Sequence, residues 1–227
     1  MNIFNVVQNR VSTDYFNFLN ANFTAQDVQE AIRNLKANSA PGLDGLSALF
    51  YQKYWDIIGG EIIEYILNIL NNERSTHLIN HSFISLIPKI NSPTTPSDFR
   101  LISLCNVILK IITKSIANGI KQILPKITKE FQSAFVPGRL ITENSLIDFE
   151  TLHYIRKRRT KNNGYVGIKL DVAKSYDSLE WDFIENTMTA MGFPNNLIKV
   201  IMLCLNLLLS PSLLMVNPLA PLLLLEE

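Results

Sequence analysis

Residues 165–178 read Tyr165-Val-Gly-Ile-Lys-Leu-Asp-Val-Ala-Lys-Ser-Tyr-Asp-Ser178. Apolar and polar residues alternate in the first half of this stretch, which predicts a strand over 165–172 with one buried face. Asp171 then lies on the opposite face at the end of a rigid strand, where a carboxylate can hold Mg²⁺. On the residues alone, a polar strand end without a catalytic role is the simpler interpretation. Asp177 fits the N-cap of a helix predicted over 178–191 better than it fits a second metal ligand.

The composition of the whole chain is that of a folded globular protein. Of its 227 residues, 47% are hydrophobic and 18% are charged, which excludes a disordered or collagen-like chain. The formal net charge is +1, yet residues 100–174 carry 14 Lys and Arg against 5 Asp and Glu, a net charge of +9. A basic middle part is compatible with a groove that binds a polyanion. Two cysteines are too few for a disulfide framework or a four-cysteine zinc site.

Helical periodicity and capping signals predict the elements that surround this stretch. Helices are predicted over 24–37, 61–71, 106–124 and 142–153, and a strand is predicted over 82–87. Three lysines of the helix 106–124 line one face, which either nucleic acid or water could cover: Lys110, Lys114 and Lys121. Three prolines interrupt the apolar tail Leu203–Leu225, so no membrane-spanning segment is expected.

Five sequence blocks in a fixed order carry a resemblance to a known family. The block Ile168–Trp181 resembles the first catalytic-aspartate block of the reverse transcriptases of LINE-type (non-LTR) retrotransposons, most like the plant members. Four blocks upstream resemble the opening block, the two fingers blocks and the block before the palm: Ala40-Pro-Gly-Leu-Asp-Gly45 with Phe50–Trp55, Ile79–Lys89, Asp98–Asn106, and Gln132–Arg139 with Ile141–Asn144. The five blocks follow the order of the family, the resemblance extends over about residues 24–204, and five blocks in register make it specific.

The resemblance implies an RNA-directed DNA polymerase that uses Mg²⁺, an RNA template, a DNA primer and deoxynucleotides. It assigns Asp171 as the first metal-binding catalytic aspartate and Tyr176 as the aromatic residue under the incoming sugar. Lys89 and Arg100 match the fingers cations that grip the nucleotide triphosphate, and Arg139 matches a turn residue near the template. A basic run that could contact template or primer phosphates, or only water, follows: Arg156, Lys157, Arg158, Arg159 and Lys161.

The chain also departs from the pattern of this family. Leu101 stands where the family usually has Pro, and Ser175 and Ser178 flank Tyr-Asp where it usually has Ala and Arg. No Asp-Asp pair occurs in the sequence, although the family's second catalytic block supplies two further carboxylates. One of three carboxylates cannot complete a two-metal site, so the chain by itself is expected to be inactive and truncated before that block.

The expected fold is α+β, a partial palm-and-fingers polymerase fold with helix-rich fingers and an incomplete ferredoxin-like palm. The expected divisions are an N-terminal segment (1–23), fingers and the start of the palm (24–165), the first palm strand with the following helices (166–204), and a divergent Leu/Pro-rich tail (205–227). An incomplete palm leaves an exposed sheet edge and an unmatched apolar face. No export signal is present, and the family implies cytoplasm and nucleus. The alternatives are a non-catalytic nucleic-acid-binding module and an unselected retroelement relic.

Overall fold

The computed structural model of the chain describes residues 10–72, 82–157, 166–170, 179–207 and 214–216. It divides into two compact units: a larger unit formed by Phe18–Asn118 and Pro194–Glu227, and a smaller unit formed by Met1–Asn17 and Gly119–Phe193. The described strands are β1 (Ser82–Pro88), β2 (Phe99–Cys105) and β3 (Leu214–Val216). The described helices are α1 (Thr13–Asn20), α2 (Ala25–Arg33), α3 (Ala48–Lys53), α4 (Trp55–Asn72), α5 (Val107–Ile127), α6 (Ile141–Lys157), α7 (Trp181–Met191) and α8 (Asn195–Leu207).

Helix α2 begins at Ala25, one residue after the predicted start, and its N-terminus is closed by a reciprocal cap between Thr24 and Asp27. The Asp27 carboxylate accepts from the Thr24 backbone N–H at 2.7 Å, and the Thr24 hydroxyl accepts from the Asp27 N–H at 3.4 Å. The helix ends at Arg33, earlier than the predicted residue 37. There the Gln52 side-chain amide donates to the carbonyls of Ile32 and Leu35, each at 2.9 Å, so α3 supplies partners that a longer helix would have supplied itself.

Helices α4 and α5 are both longer than the sequence pattern predicts. The pattern predicted α4 over 61–71, and the structure begins it at Trp55, where the indole packs against Gly59. Helix α5 continues past the predicted end at residue 124 to Ile127, with Pro125 inside its last turn. Thr128 caps this end by donating to the Leu124 carbonyl from its hydroxyl at 2.6 Å and from its backbone N–H at 3.1 Å.

The core of the larger unit is built from the apolar faces of its helices. Helices α2, α3 and α4 pack on one another. Fully buried aliphatic side chains come from α2, α4, α5 and α8: Val28, Ala31, Ile32, Ile66, Ile69, Val107, Ile111, Ile112, Leu197, Ile198 and Val200. Each large aliphatic side chain removed from water stabilises the fold by about 1.5–3 kcal/mol. In α2, α4 and α5 these buried residues recur at the helical spacing from which those helices were predicted.

The sheet of the larger unit has the strand order β2-β1-β3. β1, predicted over 82–87, is confirmed and pairs antiparallel with β2 in the register Ile84↔Ser103. β2 was not predicted, because its apolar and polar residues do not alternate cleanly. Among the described strands, β1 is its hydrogen-bonding partner. β3 lies parallel to β1, in the register Ile84↔Met215.

The prediction of a buried strand over 165–172 is wrong for residues 166–170, which are irregular and exposed. Val166, Ile168 and Leu170 are 84%, 79% and 84% exposed. A strand is held by hydrogen bonds to its neighbours, and among the described residues no strand pairs with this segment. Alternation specifies which side chains would share a face, but it does not supply the partner that buries them.

Helix α7 is shorter than predicted at its N-terminus. It begins at Trp181 with Glu180 as N-cap, three residues after the predicted start. Asp177, the predicted N-cap, lies outside the described residues. The predicted C-terminus is confirmed, because Gly192 caps the helix with φ 83° and donates to the carbonyls of Met188 and Thr189. The Val11 backbone N–H also donates to the Met191 carbonyl at 2.9 Å, which ties the N-terminal segment to this end of α7.

Candidate functional site

The β1–β2 hairpin brings two of the predicted site residues together. Ile87 lies opposite Arg100, and the Lys89 backbone N–H donates to the Asp98 carbonyl at 2.7 Å, which continues the ladder by one residue. Side chains on a strand alternate between faces, so Lys89 and Arg100 lie on the same face as diagonal neighbours. Both are exposed. The hairpin therefore presents two cations, a geometry that suits a multiply charged anion.

The tip of this hairpin is organised by the Asp98 carboxylate. Its Oδ2 atom accepts from the backbone N–H groups of Thr94 and Thr95 at 3.0 and 2.8 Å, at the start of a short 3₁₀ helix over Pro96–Asp98. These hydrogen bonds lower the pKa of Asp98, and the bond from the Thr95 N–H has the largest effect. The positive charge of Lys89 lowers this pKa by the smallest amount. The Lys89 Nζ atom donates to the Ser97 carbonyl at 2.8 Å.

The capping role of Asp98 at the hairpin tip was not identified from the sequence, although the pattern Thr95-Pro-Ser-Asp98 is a capping signal.

Arg139 is engaged with the main chain of the smaller unit. Its Nη1 atom donates to the carbonyls of Lys129 and Gln132 at 2.5 and 2.7 Å, and its Nη2 atom donates to the Pro125 carbonyl at 3.1 Å. The planar guanidinium thus joins the end of α5 to the loop that follows it. This placement gives Arg139 a structural role, and the contact with a template phosphate stays a prediction.

The described part of the basic run lies at the C-terminal end of α6. Arg156 and Lys157 are exposed there, while Arg158, Arg159 and Lys161 lie outside the described residues. An open groove of about 1030 Å³ runs along this helix, lined by residues that include Phe149, Leu152 and Arg156. Helix α6 buries none of its residues, so its apolar side chains face solvent beside these cations.

The predicted metal site falls outside the described residues, as do Asp171 and Tyr176. Within the described ranges, no three His, Cys, Asp or Glu side chains come close enough together to hold a metal ion. Also within those ranges, no helix has the length and apolarity needed to cross a membrane. Of the α5 lysines, Lys110 donates to the Ala40 carbonyl at 2.6 Å, which links α5 to the opening Pro-Gly block.

Comparison with known proteins places these features in a family. Residues 87–217, more than half of the chain, match the model of the family described as reverse transcriptase (RNA-dependent DNA polymerase). The match spans every predicted site residue and part of the tail predicted to begin at 205.

A relative also supports this placement. The chain is 27% identical over 170 residues to a Xenopus laevis protein named Transposon TX1 uncharacterized 149 kDa protein. The matched part is 75% of this chain and 13% of that protein, so the chain spans a small fraction of its relative. The chain therefore belongs to the reverse transcriptase (RNA-dependent DNA polymerase) family.

Proposed function

We propose that this chain is part of a retrotransposon RNA-directed DNA polymerase and that its β1–β2 hairpin binds the triphosphate of an incoming deoxynucleotide. The observation that carries the proposal is the placement of Lys89 and Arg100 as exposed diagonal neighbours on one face. Arg presents a planar fork and Lys a compact charge to phosphate oxygens, and the two together match a group with several negative charges. The resemblance of both surrounding blocks to the fingers of the family supports the same role.

The rest of the polymerase site is part of this proposal. The fingers and the start of the palm occupy residues 24–165, an incomplete ferredoxin-like palm occupies 166–204, and a divergent tail follows. Asp171 binds Mg²⁺, which prefers carboxylate oxygens as ligands, and Tyr176 contacts the sugar of the incoming nucleotide. When bound, Mg²⁺ neutralises charge on the transferring phosphoryl group. An RNA template and a DNA primer are the macromolecular partners, and the cytoplasm and nucleus are the proposed locations.

Nucleotide binding by the hairpin is testable in the full chain. Lys89→Ala and Arg100→Ala should each weaken binding of a fluorescent deoxynucleotide triphosphate, measured by anisotropy, by about ten-fold, because each removes a charge-assisted hydrogen bond to phosphate. The matched controls are Lys53→Ala and Arg33→Ala, which remove exposed cations elsewhere in the larger unit. Equal affinities for the hairpin variants and the controls would show that the hairpin is not the triphosphate site.

A second candidate function is a non-catalytic nucleic-acid-binding module, favoured by the exposure of Arg156 and Lys157 at the end of α6. The same titration separates the two functions. A module of this kind binds RNA with a strong salt dependence, and its affinity for the triphosphate does not respond to Lys89 or Arg100.

The chain as it stands is proposed to synthesise no DNA, because its sequence contains no Asp-Asp pair to join Asp171 in a two-metal site. A primer-extension assay with an RNA template, Mg²⁺ and all deoxynucleotides should show no product. Asp171→Ala serves as the control. Extension by the unaltered chain that disappears in this variant would overturn the proposal.

A further inference from the structure

Two phenylalanines stand out in the loop that joins α5 to α6. Phe131 is 74% exposed and Phe135 is 79% exposed. Aromatic side chains of this size usually lie in the core, and the sequence alone gave no reason to expect otherwise for these two. Their neighbours in the loop behave differently, since Ser133 and Val136 are buried. The loop over residues 129–139 therefore directs its aromatic rings outwards while anchoring itself through the residues between them.

The backbone at Phe135 adopts a conformation that bulky residues rarely take. Its φ is 64°, and within the described ranges no other residue apart from glycine has a positive φ. The Val136 N–H donates to the Ser133 carbonyl at 3.4 Å, so Phe135 occupies the third position of a tight turn where glycine is the usual residue. The next turn has Gly138 at the equivalent position, with φ 76°, and closes through the Arg139 N–H on the Val136 carbonyl.

Contacts around the loop hold this arrangement in place. A third turn closes through the Gln132 N–H on the Lys129 carbonyl at 3.0 Å, and the Arg139 guanidinium binds the carbonyls of Lys129 and Gln132. The Asn144 side chain donates to the Phe131 carbonyl at 3.2 Å, which fixes the loop to the first turn of α6. A strained residue persists only when its surroundings over-determine it, and such residues concentrate at binding sites.

The charge beside the rings identifies the kind of ligand. Lys126 and Lys129 are exposed next to the loop, and the segment 121–139 carries four cations against the single anion Glu130. Exposed aromatic rings beside cations are the arrangement by which proteins hold single-stranded nucleic acid, because bases stack on the rings and phosphates meet the cations. A purely apolar protein partner would gain nothing from the lysines.

We propose that Phe131 and Phe135 form a stacking platform for the bases of a single-stranded nucleic acid. Its identification with the template strand rests on the proposed function, whereas the stacking itself does not. The platform belongs to the smaller unit, whereas the hairpin cations belong to the larger unit. Its test is therefore independent of the nucleotide titration.

The test uses the full chain and a short single-stranded RNA that carries a fluorescent purine analogue quenched by stacking. Phe131→Ala and Phe135→Gly should each weaken binding by about ten-fold and reduce the quenching. Glycine suits the positive φ at this position, so Phe135→Gly removes the ring while keeping the turn, and Phe135→Leu keeps an apolar side chain without the aromatic face. Phe16→Ala is the control, because Phe16 is an exposed ring of α1 in the same unit and lies outside both the loop and the lining of the α6 groove.

An RNA of the same length without bases supplies the phosphate-only comparison. It should bind weakly and equally to the unaltered chain and to both ring variants. Equal affinity of the chain for the two RNAs, or equal effects of the loop variants and Phe16→Ala, would overturn the proposal. Oligomers that dissociate in Phe131→Ala while RNA affinity stays unchanged would overturn it as well, and would assign the rings to an interface between copies of the chain.

Discussion

Replacing Gly42 by Ala is expected to lower the free energy of unfolding by about 3 kcal/mol, because the added methyl group has no space. A Cβ atom at this position would lie 2.1 Å from Asn106 Oδ1, 2.4 Å from the Asn106 backbone N and 2.7 Å from its Cα. A side chain can rotate away from such a clash, but a backbone cannot. The substitution therefore has to separate the Pro-Gly block from the start of α5.

Other contacts show why this separation is costly. The Lys110 ammonium binds the Ala40 carbonyl on one side of Gly42, and Asp44 lies on the other side. Burial, together with the charge and a hydrogen bond of Asp44, raises the pKa of the Tyr51 hydroxyl. The Pro-Gly block therefore contacts α3 through Asp44 and Tyr51, and it contacts α5 through Ala40 and Lys110.

Urea unfolding of the full chain measures the effect, and Gly60→Ala is the matched control. Gly60 is exposed in the second turn of α4, and a Cβ there meets nothing within 4 Å. Ala is the better helix former, so this control should raise stability by about 1 kcal/mol. Similar midpoints for the two variants would mean that Gly42 and Asn106 are not in contact.

Arg139→Ala is expected to lower the free energy of unfolding by about 2 kcal/mol, because three carbonyls lose a charged donor. The affected carbonyls belong to Pro125, Lys129 and Gln132. The free energy of unfolding of Arg139→Lys should lie between those of the unaltered chain and Arg139→Ala. One ammonium group keeps the charge but cannot reproduce the guanidinium fork that reaches all three carbonyls. The measurement is the urea midpoint, with Arg156→Ala as the matched control for loss of an exposed cation in the same unit.

This experiment also decides between two roles for Arg139. The family resemblance places this residue near the template, and a pure phosphate contact would lower RNA affinity without changing the unfolding midpoint. The hydrogen bonds of the Arg139 guanidinium to three carbonyls predict instead that Arg139→Ala lowers the unfolding midpoint. An unchanged unfolding midpoint in Arg139→Ala would show that these hydrogen bonds do not stabilise the fold.

Much of the fold follows from local signals in the sequence. The capping pair Thr24 and Asp27, the β1 run from Ser82 and the glycine stop at Gly192 each act over a few residues, so the sequence pattern predicts them correctly. The ends of α2 and α5 were misplaced because distant groups set them: Gln52 binds the last carbonyls of one, and Arg139 binds Pro125 at the end of the other. Element ends are settled by whichever group satisfies the last carbonyls.

The same division applies to the candidate site. Motif order alone pointed to the family and to Lys89 and Arg100, because phosphate recognition depends on residue type as much as on position. Tertiary structure decided that these two cations share a hairpin face, that Arg139 is bound to carbonyls, and that residues 166–170 are exposed. Hydrophobic alternation reports only which side chains could be buried together. Burial, hydrogen-bond partners and backbone strain such as that at Phe135 depend on groups far away along the chain.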